Sequence, residues 1–366
     1  MTSRRKVFIT GASGLVGEEV LRRMLVDDPA LEAFVLVRNE IRWLLASKRL
    51  GALARRVVPL QGDTTLPGLG LESQARQRVE RETSAVVHAA ADTSFSRSLD
   101  QARFVNTLGT YHVAEIASEC LCLDRFVLVS TAFVTGRATG NILERDNGGD
   151  AGWVNSYEQS KYEAERNVRA SGLPWTIVRP STIVCRGPSG EIPQINAVHR
   201  ALRVYHRGLA AMMPGDRAYH FDVITSSYVA DAIARLTFDE RALHQTVHLC
   251  SGRRALTLGE LVDTAYEVWA ENPEWRKRGV ERAMITDAAT YALFERAVME
   301  TGDVRLRAVL SSLAHFIPHL ALPKVFDTSV AEALLDAPPP APGSYWMPML
   351  RCLLANNWGQ TQEAAA

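Results

Sequence analysis

Lys6-Val-Phe-Ile-Thr-Gly-Ala-Ser-Gly-Leu-Val-Gly17 decides the fold. Lys6–Thr10 reads as a short apolar strand, and Leu15–Leu25 carries apolar residues at helical spacing. Between them Gly11, Gly14 and Gly17 recur at every third position, as GxxGxxG. A strand, a glycine turn and a helix in this order aim free N–H groups and the positive end of a helix dipole at one spot, where a pyrophosphate can sit. Gly11 lets the chain turn sharply, Gly14 lets backbone approach the anion, and Gly17 lets helix and sheet pack closely. Thr10, Ser13, Leu15 and Val16 are the other expected members of this dinucleotide loop.

The rhythm continues outward. Ala33–Val37, Arg56–Leu60, Ala85–Ala90, Phe126–Ser130 and Trp175–Val178 read as further strands, with helices expected near Leu99–Cys120 and over Tyr157–Ala170. Near-continuous apolar strands alternating with helices imply a Rossmann-type, doubly wound parallel α/β sheet, which binds ligands at the carboxyl ends of its strands. After Arg179-Pro180 the alternation breaks. Residues 181–225 hold loops and one helix, Tyr228–Phe238 a helix and Thr246–Leu249 a strand; from Leu256 the pattern is mostly helical. We expect a dinucleotide-binding domain over 1–254, with 181–225 contributing to a smaller substrate lobe, and a mostly helical C-terminal region over 255–366. Pro338-Pro-Pro-Ala-Pro342 is a stiff connector to the aromatic-rich Tyr345–Trp358, which either packs on the lobe or docks a partner.

The strand ends name candidate ligands for the cofactor. Arg38 closes the second strand, where a guanidinium suits a 2′-phosphate and so favours NADPH over NADH. A solvated strand-end arginine has the same sequence, and Arg42 and Lys48 are either further phosphate ligands or plain surface charges. Gly62-Asp63 follows the third strand, and Asp63 either accepts from the adenine amino group or only shapes a turn. Ala89, Ala90 and Ala91 are small enough to let backbone pass against the cofactor, whereas His88 lies in the buried run and reads as structural.

Chemistry is written in Asn155-Ser-Tyr-Glu-Gln-Ser-Lys161. Four residues apart on one helix, Tyr157 and Lys161 share a face. Thr131 ends the fifth strand at the same sheet edge. A carbonyl that receives hydride becomes an oxyanion, which Thr131 can stabilise by a hydrogen bond and Tyr157 can protonate. A free phenol with a pKa of ~10 is a poor shuttle at neutral pH. A neighbouring Lys161 is expected to lower that value and to hold the nicotinamide ribose. Asn106 either orders a water or the backbone near the site or serves as a buried cap.

Composition excludes other classes. Lysine plus arginine equal aspartate plus glutamate at 41 each in 366 residues, which argues against a general nucleic-acid or anionic-membrane binder. Hydrophobic residues make up 47%, enough for a packed core. Five cysteines without CxxC or Cys/His runs give no metal site and fit a reducing cytosol. The basic Met1–Lys6 does not read as a secretory signal, and no apolar run reaches membrane-spanning length. The nearest candidate, Val309–Phe326, contains two histidines, two prolines and a lysine and reads as buried or interfacial. A cytoplasmic location is therefore expected.

The glycine triplet with Thr131 and Tyr157xxxLys161 resembles the extended short-chain dehydrogenase/reductase superfamily. Further stretches resemble its fatty acyl-CoA reductase and thioester reductase (male-sterility-like) branch: Gln61–Leu71, His88-Ala-Ala-Ala-Asp-Thr-Ser-Phe95, Asn106-Thr-Leu-Gly-Thr110, Val129-Ser-Thr-Ala132, Arg179-Pro-Ser-Thr-Ile183 and Val325-Phe-Asp-Thr328. The resemblance is dense from Val7 to about Asp231 and thin beyond. It implies NADPH-dependent reduction of an acyl thioester to an aldehyde, with a second hydride giving the alcohol. The cofactor would also be lined by Pro180 and Ser181. No adenylation or carrier domain is evident, so the acyl group would come in trans on CoA or on a carrier protein that docks transiently. Related sugar dehydratases place an Asp-Glu pair after the strand-end threonine; Ala132-Phe133 offers none. A ketone or alcohol oxidoreductase shares every catalytic residue and is the alternative. A non-catalytic NADP sensor is a third reading, set against by the presence of both Tyr157 and Lys161. Ile192, Met212, Met213, Phe221 and Trp346 are either channel-lining residues or ordinary core.

Overall fold

The structure is a computed structural model that describes residues 6–145, 148–301 and 304–359, so Met1–Arg5 of the basic N-terminal stretch lie outside the described residues. Along the first half run β1 (Lys6–Thr10), α1 (Leu15–Asp27), β2 (Glu32–Val37), α2 (Glu40–Leu50), β3 (Val57–Gln61), α3 (Ser73–Glu82), β4 (Ala85–His88), α4 (Leu99–Ala102), α5 (Gly109–Ser118) and β5 (Arg125–Val129). The chain continues through β6 (Gly140–Ile142), α6 (Ser156–Ala170), β7 (Trp175–Pro180), β8 (Thr182–Cys185), α7 (Ala197–His206), β9 (Met212–Pro214), β10 (Val223–Thr225), α8 (Ser226–Phe238) and β11 (Thr246–Leu249). It ends in α9 (Leu258–Ala270), α10 (Pro273–Lys277), β12 (Met284–Thr286), α11 (Ala288–Thr301), α12 (Val304–Leu313), β13 (Lys324–Phe326), α13 (Ser329–Leu335) and α14 (Trp346–Ala355).

Seven strands form one parallel sheet in the order β11-β7-β5-β4-β1-β2-β3. This is the doubly wound α/β arrangement expected from the alternating pattern. Its strands are buried on both sides. Val7, Ile9, Val35 and Val127 face α1 and α8, while Phe8, Phe34, Phe126 and Leu128 face the cluster containing Val79, Val113, Ile116 and Val168. The order reverses between β1 and β4, and the loops leaving their carboxyl ends open the crevice in which such sheets hold nucleotides.

Two helices lacked a clear signal in the sequence. α2 buries only Ala46 and Leu50 and turns Ile41, Leu44 and Leu45 outward, while α3 buries Val79 alone. Neither shows the apolar stripe by which periodicity is recognised. The helix expected over Leu99–Cys120 is interrupted by a π-helical stretch, Arg103–Leu108, which contains Asn106. Such insertions favour functional sites.

A second core joins Val184, Tyr205, Phe221, Trp269, Trp275, Tyr345, Trp346 and Leu350. Ile192, Phe221 and Trp346 are part of it, which favours the core reading of those residues over the channel reading; Met212 and Met213 are half-buried on β9. The aromatic-rich tail segment packs inward as well, with the Tyr345 hydroxyl donating to the Val223 carbonyl at 2.7 Å and Trp358 against His206 at 4.9 Å. Late chain returns to the first half where β13 pairs with β6. From Leu310 to Phe326 the buried residues include Leu313, Phe316, His319 and Lys324. No described helix is long and apolar enough to cross a membrane.

Candidate active site

The nucleotide loop is built on two steric demands. Gly11 has φ +74°, and a Cβ there would stand 2.6 Å from the Ala90 nitrogen and 2.7 Å from the Ala89 carbonyl carbon. Gly17 faces the same turn, where a Cβ would lie 2.2 Å from the Gly11 oxygen. Glycine is thus the only residue that allows loop, helix and the end of β4 to meet. Gly14 starts α1 without any side-chain cap, so the first N–H groups of the helix remain available to an anion. Ser13 and Gly14 are exposed, and Leu15 and Val16 are partly so. Thr10 is fully buried; its hydroxyl meets His88 Nδ1 at 2.7 Å and accepts from the Ala90 N–H at 3.2 Å, which fastens the loop to β4. Burial pushes the His88 imidazole down to about 3, and its Nε2 lies 3.0 Å from the Thr110 hydroxyl, in keeping with its structural reading.

Around the loop stand the other expected ligands. Arg38 is exposed and makes no hydrogen bond or ion pair among the described residues, so its guanidinium is available. The Gly62 N–H donates to the Val37 carbonyl at 3.0 Å, which sets the end of β3 beside that of β2. Asp63 is half-buried; its Oδ1 accepts from the N–H and hydroxyl of Thr65, both at 2.9 Å, and its second oxygen has no hydrogen-bond partner among the described residues. Ala89, Ala90 and Ala91 are partly exposed. Asn106 is fully buried, its amide group donating to the Asp92 carbonyl at 3.0 Å and to the Ser160 hydroxyl at 2.9 Å, while its oxygen accepts from the Asp92 N–H at 2.8 Å. It orders backbone beside the site and ties that backbone to α6. Pro180 is buried at the end of β7, and the Ser181 hydroxyl is committed to Asp222 at 2.5 Å.

The three candidate catalytic residues come together at the carboxyl edge of β5. Asn155 caps α6 by accepting from the Glu158 N–H at 3.1 Å, which places Tyr157 in the first helical turn and Lys161 in the second. Thr131 is buried and hydrogen-bonded to the Tyr157 hydroxyl. Lys161 is 1% exposed and donates from Nζ to the Val129 carbonyl at 2.7 Å. Burial lowers this ammonium to about 8, against the attraction of Glu165. Glu165 in turn is clamped by Arg179 through Nε at 2.9 Å and Nη2 at 2.7 Å.

The phenol corrects the sequence. Lys161 was expected to lower it, yet Tyr157 is pushed up to about 12. Burial is the main cause, the Glu158 charge adds to it, and the hydrogen bond from Thr131 only partly offsets them. Helical spacing sets which face Lys161 occupies but not what its ammonium meets, which here is the Val129 carbonyl.

Aromatic and acidic neighbours complete the site. Phe95 packs on Tyr157 with ring centroids 5.7 Å apart, and His319 contacts Phe95 at 6.3 Å and Phe133 at 4.9 Å. His319 Nε2 lies 3.1 Å from Glu158 Oε1. No motif marks His319, and the stretches that contain Phe95 and Glu158 give those two side chains no role. Phe95 and Phe133 sit near the ends of β4 and β5, a placement that could have suggested them, whereas His319 comes from far along the chain. A recess of about 530 Å³ lined by Arg23, Asp27, Tyr228 and Asp231 flanks the last turn of α1, so it opens toward the amino ends of the strands, away from this chemistry. Among the described residues no cluster of His, Cys, Asp and Glu could hold a metal ion.

Comparison with known proteins gives a consistent picture. A family model described as Male sterility protein matches residues 9–233. Fatty acyl-CoA reductase 1 of Arabidopsis thaliana is 22% identical over 340 residues, covering 76% of this chain and 68% of that protein. A polyketide synthase-nonribosomal peptide synthetase hybrid, himA of Aspergillus japonicus, is 27% identical over 244 residues, 62% of this chain. The matched stretches span 30% and 6% of the lengths of the first two curated relatives. Among solved structures, the terminal R domain from the myxalamid PKS-NRPS biosynthetic pathway superposes with a TM-score of 0.78 at 25% identity, covering 98% of this chain and 93% of that one.

Proposed function

The chain belongs to the male sterility protein family, and on that premise we propose that it reduces an acyl thioester to an aldehyde with NADPH. The observation that carries this reading is the meeting of Thr131, Tyr157 and Lys161 at the sheet edge beside an uncapped glycine loop. The acyl group arrives on CoA or on a carrier-protein arm, in line with the names of the fatty acyl-CoA reductase relatives and the R-domain neighbour. The loop 10–17, Arg38, Asp63 and the alanines 89–91 would hold the dinucleotide, and Lys161 its nicotinamide ribose. When bound, the reduced nicotinamide supplies the hydride.

The protein's own part is proton and charge management. Thr131 and Tyr157 are hydrogen-bonded to each other, and exchanging that bond for an incoming substrate would aim two O–H donors at one carbonyl oxygen. A phenol held near 12 stays protonated at neutral pH and yields its proton only to a strong base such as the alkoxide formed on reduction. The acid is thereby loaded for reduction, and Lys161 need not make the phenol acidic in advance.

Following NADPH consumption with acyl-CoA, acyl-N-acetylcysteamine and ketone substrates tests the proposal. Turnover of thioesters is expected; turnover of ketones alone would replace the thioester reading. The cofactor choice has its own test. Arg38→Asp removes charge-assisted hydrogen bonds worth about 2–3 kcal/mol and so weakens NADPH by roughly 30- to 150-fold, far more than NADH. Equal weakening of both cofactors in a binding titration would show that Arg38 does not meet the 2′-phosphate.

A further inference from the structure

Thioester reduction releases a thiol, and the motif residues provide nothing for it, because Thr131 and Tyr157 both serve the carbonyl oxygen. His319, in the segment between α12 and β13, stands beside them. Its ring packs on Phe133, whose N–H donates to the Thr131 hydroxyl at 3.3 Å, and on Phe95, which covers Tyr157. Its Nε2 is paired with Glu158, and the two side chains are 5% and 1% exposed. The carboxylate is fixed in turn, accepting from the Val154 N–H at 2.9 Å and from Asn155 Nδ2 at 3.3 Å. Lys324 on β13 places an ammonium near Glu158 while donating to the Gly136 carbonyl.

The other ring nitrogen gives the argument its direction. Nδ1 of His319 is buried and has no hydrogen-bond partner among the described residues. A buried polar atom left without a partner is costly, and a catalytic role is one of the things that accounts for it. With Nε2 committed to the Glu158 carboxylate the ring is held in one orientation, and Nδ1 is the nitrogen from which a doubly protonated ring gives up a proton.

We propose that His319, oriented by Glu158, is the acid that protonates the departing thiol. The proposal rests on the thioester reading above. Hydride addition and proton transfer from Tyr157 give a hemithioacetal and a tyrosinate. The hemithioacetal hydroxyl then returns its proton to Tyr157 as the C=O bond re-forms. The C–S bond breaks with its electron pair on sulfur, and sulfur takes the Nδ1 proton of the His319 imidazolium. Solvent recharges the neutral ring. One hydride and one proton are consumed, and the products are aldehyde and thiol.

The test varies the leaving group. Thiol release is measured for two thioesters of one acyl group, one with N-acetylcysteamine and one with thiophenol, a much stronger acid that departs without help. His319→Gln keeps a donor toward Glu158 but has no proton to give. It is expected to slow the N-acetylcysteamine ester by about 100-fold, within the usual range for loss of a general acid, and the thiophenyl ester by no more than about threefold. Equal slowing of both esters would make His319 an anchor of the lobe, and unchanged rates would make it packing; either overturns the proposal. Should His319→Gln fail to fold, Glu158→Gln, which keeps the imidazole but removes its carboxylate, is read the same way. If the parent protein releases thiol from neither ester, the thioester reading falls, and this inference falls with it. If the parent is active and only the selectivity is missing, the inference alone falls.

Discussion

Tyr157→Phe is expected to bind NADPH as the parent does and to lose about 1,000-fold in kcat, the middle of the range for removing a general acid. The phenyl ring keeps the packing of Phe95 at 5.7 Å, because only the hydroxyl oxygen is deleted. The loss falls on kcat because the proton moves only as charge develops on the carbonyl oxygen. Burial already holds the phenol near 12, so the parent rate should show no fall from phenol ionisation between pH 6 and 9. Lys161, held at about 8, is the group that changes charge in that window: its ammonium is present below about 8 and lost above it. Cofactor binding should therefore weaken on the alkaline side while the phenol stays protonated. A near-normal kcat for Tyr157→Phe would remove Tyr157 from the proton transfer.

Gly17→Ala and Gly14→Ala are expected to fail in different ways. At Gly17 a methyl group would enter at 2.2 Å from the Gly11 oxygen, 2.7 Å from its carbonyl carbon and 3.1 Å from the Ala12 Cα, all backbone atoms that cannot rotate away. Overpacking of this kind costs about 3 kcal/mol and displaces the loop, so both the urea midpoint and NADPH affinity should drop sharply. At Gly14 the only near atom is the Gly11 oxygen at 3.3 Å, on ordinary helix-entry backbone. Gly14→Ala should keep the parent's stability yet lose NADPH affinity, because its methyl occupies the space where backbone would meet the pyrophosphate. Unchanged affinity would mean that the anion does not approach at Gly14.

Much of this site was legible because its parts are local. The glycine triplet encodes a turn and a helix start within a few residues, and strand ends in a doubly wound sheet share one edge, so Arg38, Asp63, Ala89 and Thr131 fall together once the strands are ordered. The same rule brings Tyr157 and Lys161 to that edge through the helix after β5. α2 and α3 were not legible because their burial is too slight to leave a stripe.

The sequence by itself determined the alternation that builds the parallel sheet, the glycine turn between β1 and α1, and the shared helix face of Tyr157 and Lys161, since each is written in local spacing. Only the tertiary structure decided how acidic the Tyr157 phenol is. Desolvation is set by what packs around a group, and around Tyr157 it outweighs the hydrogen bond from Thr131. Tertiary structure also decided that Lys161 reaches the Val129 carbonyl and that His319 lies against Glu158. Spacing along one element cannot report contacts between different elements, because they exist only once those elements have packed together.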